Sequence, residues 1–256
     1  MELVFKLVWI LLVYIIGSIP FGLVLGLVFC KIDIRKAGSG NVGATNVARL
    51  CGFKLGVLAL FLDALKGAAP VALALYVFPN YFPTLVPAKT LVSFVGFTAL
   101  AAILGHIYSY FLKFRGGKAV ATTVGVYLVL LPIHLLIAAV LCILVIKRWG
   151  YVSIGSITLV CSMPVLMILS GMFTRNFSYF ILAAVIAALV VYSHRDNIVR
   201  LIAGEEKTWR KADLAADFAA VQDANIAEKA DAAFSGEKTA APDDKQPEEP
   251  KENGRG

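Results

Sequence analysis

Residues 119–146, AVATTVGVYLVLLPIHLLIAAVLCILVI, decide how this chain is arranged, because they read either as two short membrane helices or as one long helix bent at Pro132. Split into segments of about 119–131 and 135–146, each piece reaches only ~20 Å at about 1.5 Å per residue, short of the ~30 Å hydrocarbon core of a bilayer. Flanking charge favours the split. Other apolar segments lie at about 3–29, 55–77, 90–112, 152–172 and 177–193. With the N-terminus outside and two helices in 119–146, the cytoplasmic side collects Lys31, Arg35, Lys36, Arg49, Lys54, Lys113, Arg115, Lys118, Lys147, Arg148, Arg195 and Arg200, while only Lys6, Lys89 and Arg175 fall outside. A single crossing would place Lys147 and Arg148 outside and invert the last basic segment. The expectation is an all-α integral membrane protein of about seven transmembrane helices, N-terminus outside and C-terminus cytoplasmic, with 119–146 as a hairpin of short helices.

Composition agrees. A hydrophobic content of 59% and a mean hydropathy of +0.79 exclude an ordinary soluble domain, and nothing marks a nucleic-acid partner. The run 3–29 is too long for a signal-peptide core and has no A-x-A-like cleavage site, so it reads as a retained first span. The formal charge of +7 is a sum of opposites: residues 1–204 carry 16 Lys/Arg against 4 Asp/Glu, and residues 205–256 carry 8 against 13. Residues 1–204 form the membrane domain, and 205–256 an Ala/Glu/Lys/Pro-rich cytoplasmic tail to which no chemistry is assigned. Within the tail, 208–234 has the spacing of an amphipathic helix (Trp209, Leu214, Phe218, Val221, Ile226), and from Gly236 onward the composition is that of disorder. Cys30, Cys51, Cys142 and Cys161 are far apart in sequence, with no C-x-x-C and no neighbouring His, so apolar filler is expected rather than a metal site or disulfide.

Three polar segments interrupt the apolar pattern. In GSGNVGATNVAR, 38–49, Gly38, Gly40 and Gly43 allow backbone amides to converge on an anion; Ser39, Asn41, Thr45 and Asn46 add side-chain donors and Arg49 a forked charge. In GHIYSYFLKFRGGKAVATTVG, 105–125, Arg115 and Lys118 flank Gly116 and Gly117 ahead of a helix N-terminus. In HRDNIVRL, 194–201, His194, Asn197 and Arg200 share one helix face at spacings of three. Ser153 and Ser156, after Lys147 and Arg148, stand where a helix could be capped or an anion bound. Asp63 and Lys66, spaced i, i+3 inside an apolar span, read as a structural ion pair behind the site.

Taken in order, GSGNVGATNVAR, DALKG (63–67), GHIYSYFLKFRGGKAVAT, SIGS (153–156) and HRDNIVRLIAGEE closely resemble the bacterial acyl-phosphate-dependent glycerol-3-phosphate acyltransferases over about residues 1–206. The resemblance implies an enzyme of the bacterial cytoplasmic membrane that catalyses the first acylation of phospholipid synthesis. Acyl phosphate and sn-glycerol 3-phosphate give 1-acyl-glycerol 3-phosphate and phosphate, with no cofactor or metal. By position it puts Ser39 and Arg49 in a first substrate motif, Lys118 in a second and His194 with Asn197 in a third, and the chemistry of these groups makes Ser39, Lys118, His194 and Asn197 the expected catalytic residues. Substrate- or phosphate-binding residues would be Gly38, Gly40, Asn41, Gly43, Thr45, Asn46, Arg49, Arg115, Gly116, Gly117, Ser153 and Ser156. The chain departs from the family pattern at Ala119, where Gly commonly follows the motif lysine. None of His106, His134 or His194 begins the H-x4-D motif of thioester-dependent acyltransferases. The rival reading is an organophosphate or anion transporter, which would gather its polar groups near the bilayer midplane; a non-catalytic lipid-binding scaffold is a third.

Overall fold

The computed structural model describes residues 1–209 and Ala219, so most of the expected 208–234 helix and all of the tail from Gly236 lie outside the described residues. Every regular element described is helical: α1 (Glu2–Ser18), α2 (Phe21–Leu25), α3 (Ala44–Cys51), α4 (Phe53–Ala72), α5 (Phe78–Tyr81), α6 (Ala88–Ile107), α7 (Val120–Leu130), α8 (Pro132–Trp149), α9 (Val152–Leu169), α10 (Met172–Arg175), α11 (Phe177–Ser193) and α12 (Arg195–Ala203).

Among the described residues, five stretches are long and apolar enough to cross a membrane: Glu2–Cys30, Phe53–Tyr81, Ala88–Leu112, α8 and α9. The pair α11 and α12, bent by 55° between them, passes only when taken together and brings the number to six if the two form one broken span. The expected count of about seven is not reached on length. Helix α7 has 11 residues, ~16 Å at 1.5 Å each. Leu131, at φ −142° and ψ 56°, leaves the helical region, so 119–146 is broken rather than bent. Pro132 then opens α8 at the position where a missing N–H removes no hydrogen bond. Helix α8 is longer than the 135–146 segment expected, running 18 residues to Trp149.

Helix α1 packs on α6, α4 on α7, and α9 on both α8 and α11, while short α3 folds back on α4. Two crossings are set by glycine. A Cβ on Gly17 would stand 2.4 Å from Ala102 O and one on Gly105 2.3 Å from Tyr14 O, so α1 and α6 meet backbone to backbone. The same reciprocity joins α4 and α7: Gly67 would meet Thr122 O at 2.3 Å and Gly125 would meet Ala64 O at 1.9 Å. Lipid supplies no hydrophobic drive between helices, so close approach of small residues is what holds such crossings. Val71, Ile103, Val126, Tyr127, Met163 and Ile186 fill the interior, while Leu3, Leu7 and Leu11 of α1 and Ile133, Leu136, Val140 and Leu144 of α8 point outward. That outward apolar surface suits acyl chains.

Gly125→Val is expected to lower stability by about 2 kcal/mol or more through overpacking. Gly96→Ala, with nothing within 4 Å of the added methyl, should be neutral or gain a few tenths of a kcal/mol. Thermal unfolding in detergent, followed by the loss of monodisperse protein, measures both.

Candidate active site

The first polar segment folds around one side chain. Asn46, 2% exposed on α3, donates from Nδ2 to Ile34 O (2.8 Å) and Ala37 O (3.3 Å) and accepts the Ser39 N–H at Oδ1 (2.9 Å). Gly38 turns left-handed (φ 62°) against it, where a Cβ would sit 2.3 Å from Asn46 Oδ1. Asn46 is thus committed to shaping the loop rather than offered to a ligand. Asn41 Oδ1 accepts from the Gly43 N–H (2.8 Å), leading the chain into α3. Arg49, on the same helix, is 5% exposed and donates from Nη2 to Thr208 O at 3.2 Å. The loop is also tied covalently. Cys30 and Cys51 form a disulfide with Cα atoms 5.9 Å apart, which corrects the expectation of apolar filler; sequence distance hid the pairing because α3 brings Cys51 back beside the end of the first span.

The second segment is a packed joint. The Gly116 and Gly117 N–H groups donate to Ile107 O (2.9 Å) and His106 O (3.0 Å), so these amides are spent inside the protein. A Cβ would stand 2.0 Å from His106 O at Gly116 and 2.3 Å from His106 Nε2 at Gly117. Glycine is required here for close approach, in place of the expected phosphate contact. Lys118 follows, and Ala119 adopts φ 57°, a left-handed conformation that costs a residue with a Cβ ~1–2 kcal/mol. A glycine there would adopt the same conformation without that cost.

Behind this joint lies the buried pair expected from sequence. Lys66 Nζ is 2.8 Å from Asp63 Oδ1 and donates to Ile19 O (2.8 Å), a carbonyl exposed where Pro20 interrupts the first span. His106 Nδ1 lies 3.2 Å from Thr122 Oγ1 and 3.7 Å from Asp63 Oδ1. Ser109 Oγ donates to Ser18 O, closing the contact between the kink and the second segment.

His194 caps the junction between α11 and α12. Its Nδ1 is 2.8 Å from Val190 O; a carbonyl only accepts, so Nδ1 carries the proton and Nε2 is left as an acceptor. Burial, with Lys118 nearby, pushes the imidazole down to about 4, the Val190 bond and Glu206 offsetting part of the effect. Burial and repulsion from Arg200 bring Lys118 down to about 8 against the pull of Glu206 and Asp196. The tail's first residues return over this region. Asn197 Nδ2 donates to Glu206 Oε1 (2.5 Å), Arg200 Nε to Glu206 Oε2 (2.9 Å), and Trp209 N to Gly150 O (2.8 Å). Burial alone would raise the Glu206 carboxyl, but its hydrogen bonds from Asn197 and Arg200, with the Ser153 hydroxyl nearby, leave it below the ordinary value.

These groups surround one cavity of about 520 Å³. Of the residues singled out from sequence, Gly38, Ser39, Asn41, Gly43, Thr45, Asn46, Arg49, Lys118, Ser153, Ser156, His194 and Asn197 line it. Gly40, Arg115, Gly116 and Gly117 do not: Arg115 points to the exterior, and the glycines turn or pack the chain behind the wall. Ser156 Oγ is bonded to Val152 O of its own helix (2.9 Å), whereas Asn197 Oδ1 is buried with no hydrogen-bond partner among the described residues. The sequence reading missed Glu206 and Lys207, which lie past the helix-ending Gly204 in what looks like tail, and left Arg200 out of the site although it shares the face of His194 and Asn197. One wall is apolar, built from Leu60, Val120, Val124, Cys142, Ile146 and Leu159. Cationic and hydroxyl groups beside an apolar wall accommodate an anionic head joined to a hydrocarbon chain.

Comparison with known proteins points the same way. The family described as "Glycerol-3-phosphate acyltransferase" matches residues 7–204. The chain is 47% identical to a glycerol-3-phosphate acyltransferase of Lawsonia intracellularis over 211 residues, 82% of this chain and 99% of that one. It superposes on the crystal structure of PlsY (YgiH), an integral membrane glycerol 3-phosphate acyltransferase, in the glycerol 3-phosphate form, with a TM-score of 0.71 and 37% identity, over 82% of this chain and 98% of that one. The lysophosphatidic acid form gives a TM-score of 0.68 and 36% identity over the same shares.

Ala119→Gly should raise stability by about 1 kcal/mol by relieving the left-handed strain, with turnover retained; parallel unfolding curves and initial rates test both halves.

Proposed function

The chain belongs to the glycerol-3-phosphate acyltransferase family, and on that footing we propose that it transfers an acyl group from acyl phosphate to sn-glycerol 3-phosphate, releasing 1-acyl-glycerol 3-phosphate and phosphate. One observation carries the assignment of residues: Arg49, Lys118, His194 and Asn197, from segments distant in sequence, line a single cavity. Both substrates bring a phosphate, and Arg49, Lys118 and Arg200 supply the cations. The amides at the start of α3 and the Ser39 and Thr45 hydroxyls complete the polar wall. The acyl chain lies along Leu60, Val124 and Ile146.

An acyl phosphate is a mixed anhydride with a good leaving group, so orientation and charge stabilisation do most of the work. The glycerol C1 oxygen forms a bond to the acyl carbon, the bond from that carbon to the phosphate oxygen breaks, and the hydroxyl proton passes to the departing phosphate. His194, neutral and with Nε2 open, accepts the hydroxyl's hydrogen bond and aims its lone pair; with an imidazole held near 4 it has little capacity to keep the proton. Asn197 Oδ1 and Ser39 fix the acceptor beside it, and Lys118 offsets charge on the leaving group.

The same proposal places the loops around Arg49, Lys118, Lys147 and His194 at the cytoplasmic face of a bacterial inner membrane, N-terminus outside. Lys118 before α7 and Ile146 near the end of α8 line the same cavity, which supports α7 and α8 leaving and re-entering one face as a broken hairpin and so counting toward seven membrane segments. Residues 205–256 form the cytoplasmic tail.

Purified protein supplied in parallel with acyl phosphate, acyl-CoA and acyl-carrier protein should make product from the first alone; equal use of a thioester would remove the donor assignment. Arg49→Ala or Lys118→Ala should lower kcat/KM by about 10²–10³ while leaving the protein folded. Lys118 is charged below about 8, so kcat/KM should hold at neutral pH and decline as pH rises through that value, and Lys118→Arg should move the decline out of range. A decline that persists unshifted in Lys118→Arg would assign it to another group.

A further inference from the structure

The segment 31–51 carries Ser39 and Arg49 into the cavity, yet joins the rest of the chain through two positive-φ residues, Lys31 (φ 58°) and Gly52 (φ 89°). Immediately inside and outside those joints stand Cys51 and Cys30, covalently linked and 5.9 Å apart between Cα atoms. No described residue comes within 4 Å of a Cβ placed on Gly52, so among the described residues nothing locks that joint sterically. Asn46 organises the interior of the loop, whereas the disulfide ties its two ends. Both cysteines are partly exposed, within reach of a small thiol reagent, and neither lines the cavity. Cysteine pairs facing a reducing cytosol are rarely permanent links; where they occur they are usually transient or redox-sensing.

We propose that Cys30 and Cys51 form a reversible thiol–disulfide exchange site, with a low-molecular-weight disulfide as oxidant, that sets how firmly the Ser39–Arg49 loop presents itself to the glycerol phosphate. The inference rests on the acyltransferase reading and the cytoplasmic placement of this loop given above. One cysteine thiolate attacks the small disulfide, forming a mixed disulfide and expelling one thiolate. The second cysteine then attacks the protein-bound sulfur, closing the Cys30–Cys51 bond and expelling the other. The two protein thiols lose two electrons and two protons, and the small disulfide becomes two thiols. Reduction by an excess of small thiol reverses both steps. Closing the ends pre-organises the loop, so the oxidised form binds acceptor more tightly, with little change in the chemical step.

Full-length protein in liposomes, equilibrated in glutathione buffers from reducing to oxidising, tests this by two readouts. After acid quench and alkylation, peptide mass spectrometry should find Cys30 and Cys51 linked in oxidising buffer and separately alkylated in reducing buffer. The KM for glycerol 3-phosphate should be about threefold or more higher in the reduced form, with kcat within about twofold, as expected for lost pre-organisation. The double variant Cys30→Ser/Cys51→Ser should hold the reduced KM in every buffer, and each single serine variant should match it. Failure of the link to form and break, a KM blind to the buffer, or a redox response that survives in the double variant, as Cys142 in the cavity wall would produce, each overturns the proposal. A chain that exchanges its disulfide but turns over in no buffer refutes the acyltransferase reading, and the control falls with it.

Discussion

The ion pair between Asp63 and Lys66 is the constraint on which the cavity depends. It lies within an apolar span, where each charge alone would be expensive to bury. Each is tolerated because it does a second job. Lys66 also caps the Ile19 carbonyl at the Pro20 kink, and Asp63 stands beside His106. The His106 and Ile107 carbonyls receive the Gly116 and Gly117 amides that place Lys118. One pair thus registers three spans against each other beside the polar loops that line the cavity. Removing one partner would leave an uncompensated buried charge, a situation that typically costs about 3–5 kcal/mol.

Around that pair, the helices are held by fit. The reciprocal contacts of Gly17 with Gly105's helix and of Gly67 with Gly125's helix leave no room for a methyl group. Such contacts fix the axial position of α1 on α6 and of α7 on α4. Because α7 opens directly after Lys118, its height on α4 sets where the lysine stands. Helix packing and the position of Lys118 in the cavity wall are here the same geometric problem.

Much of this was legible in the sequence, for identifiable reasons. Apolar run length marked the long spans, and the i, i+3 spacing marked Asp63 with Lys66. The gathering of glycine, hydroxyl and cation marked three segments that line or support one cavity. What was not legible depends on three-dimensional return. Glu206 and Lys207 enter the cavity only because the chain doubles back after Gly204, and no local pattern announces it. Cys51 meets Cys30 only because α3 folds onto α4. The Gly116–Gly117 pair has the composition of an anion loop, yet its amides are consumed by the preceding turn, a distinction that composition alone does not carry. Helix α7, at 11 residues, is slightly shorter than the 119–131 apolar run and falls below the length that by itself crosses a membrane.

The mixed wall of the cavity has a kinetic consequence. With cations on one side and Leu60, Val124 and Ile146 on the other, the site joins a polar half to an apolar half. In the proposed reaction one reactant is dissolved in a volume and the other in a surface. Occupancy of the polar half follows molarity in the aqueous compartment, whereas occupancy of the greasy half follows mole fraction in the leaflet. Diluting the suspension at constant lipid composition starves only the first, and adding empty lipid starves only the second, so the two Michaelis constants do not share a unit.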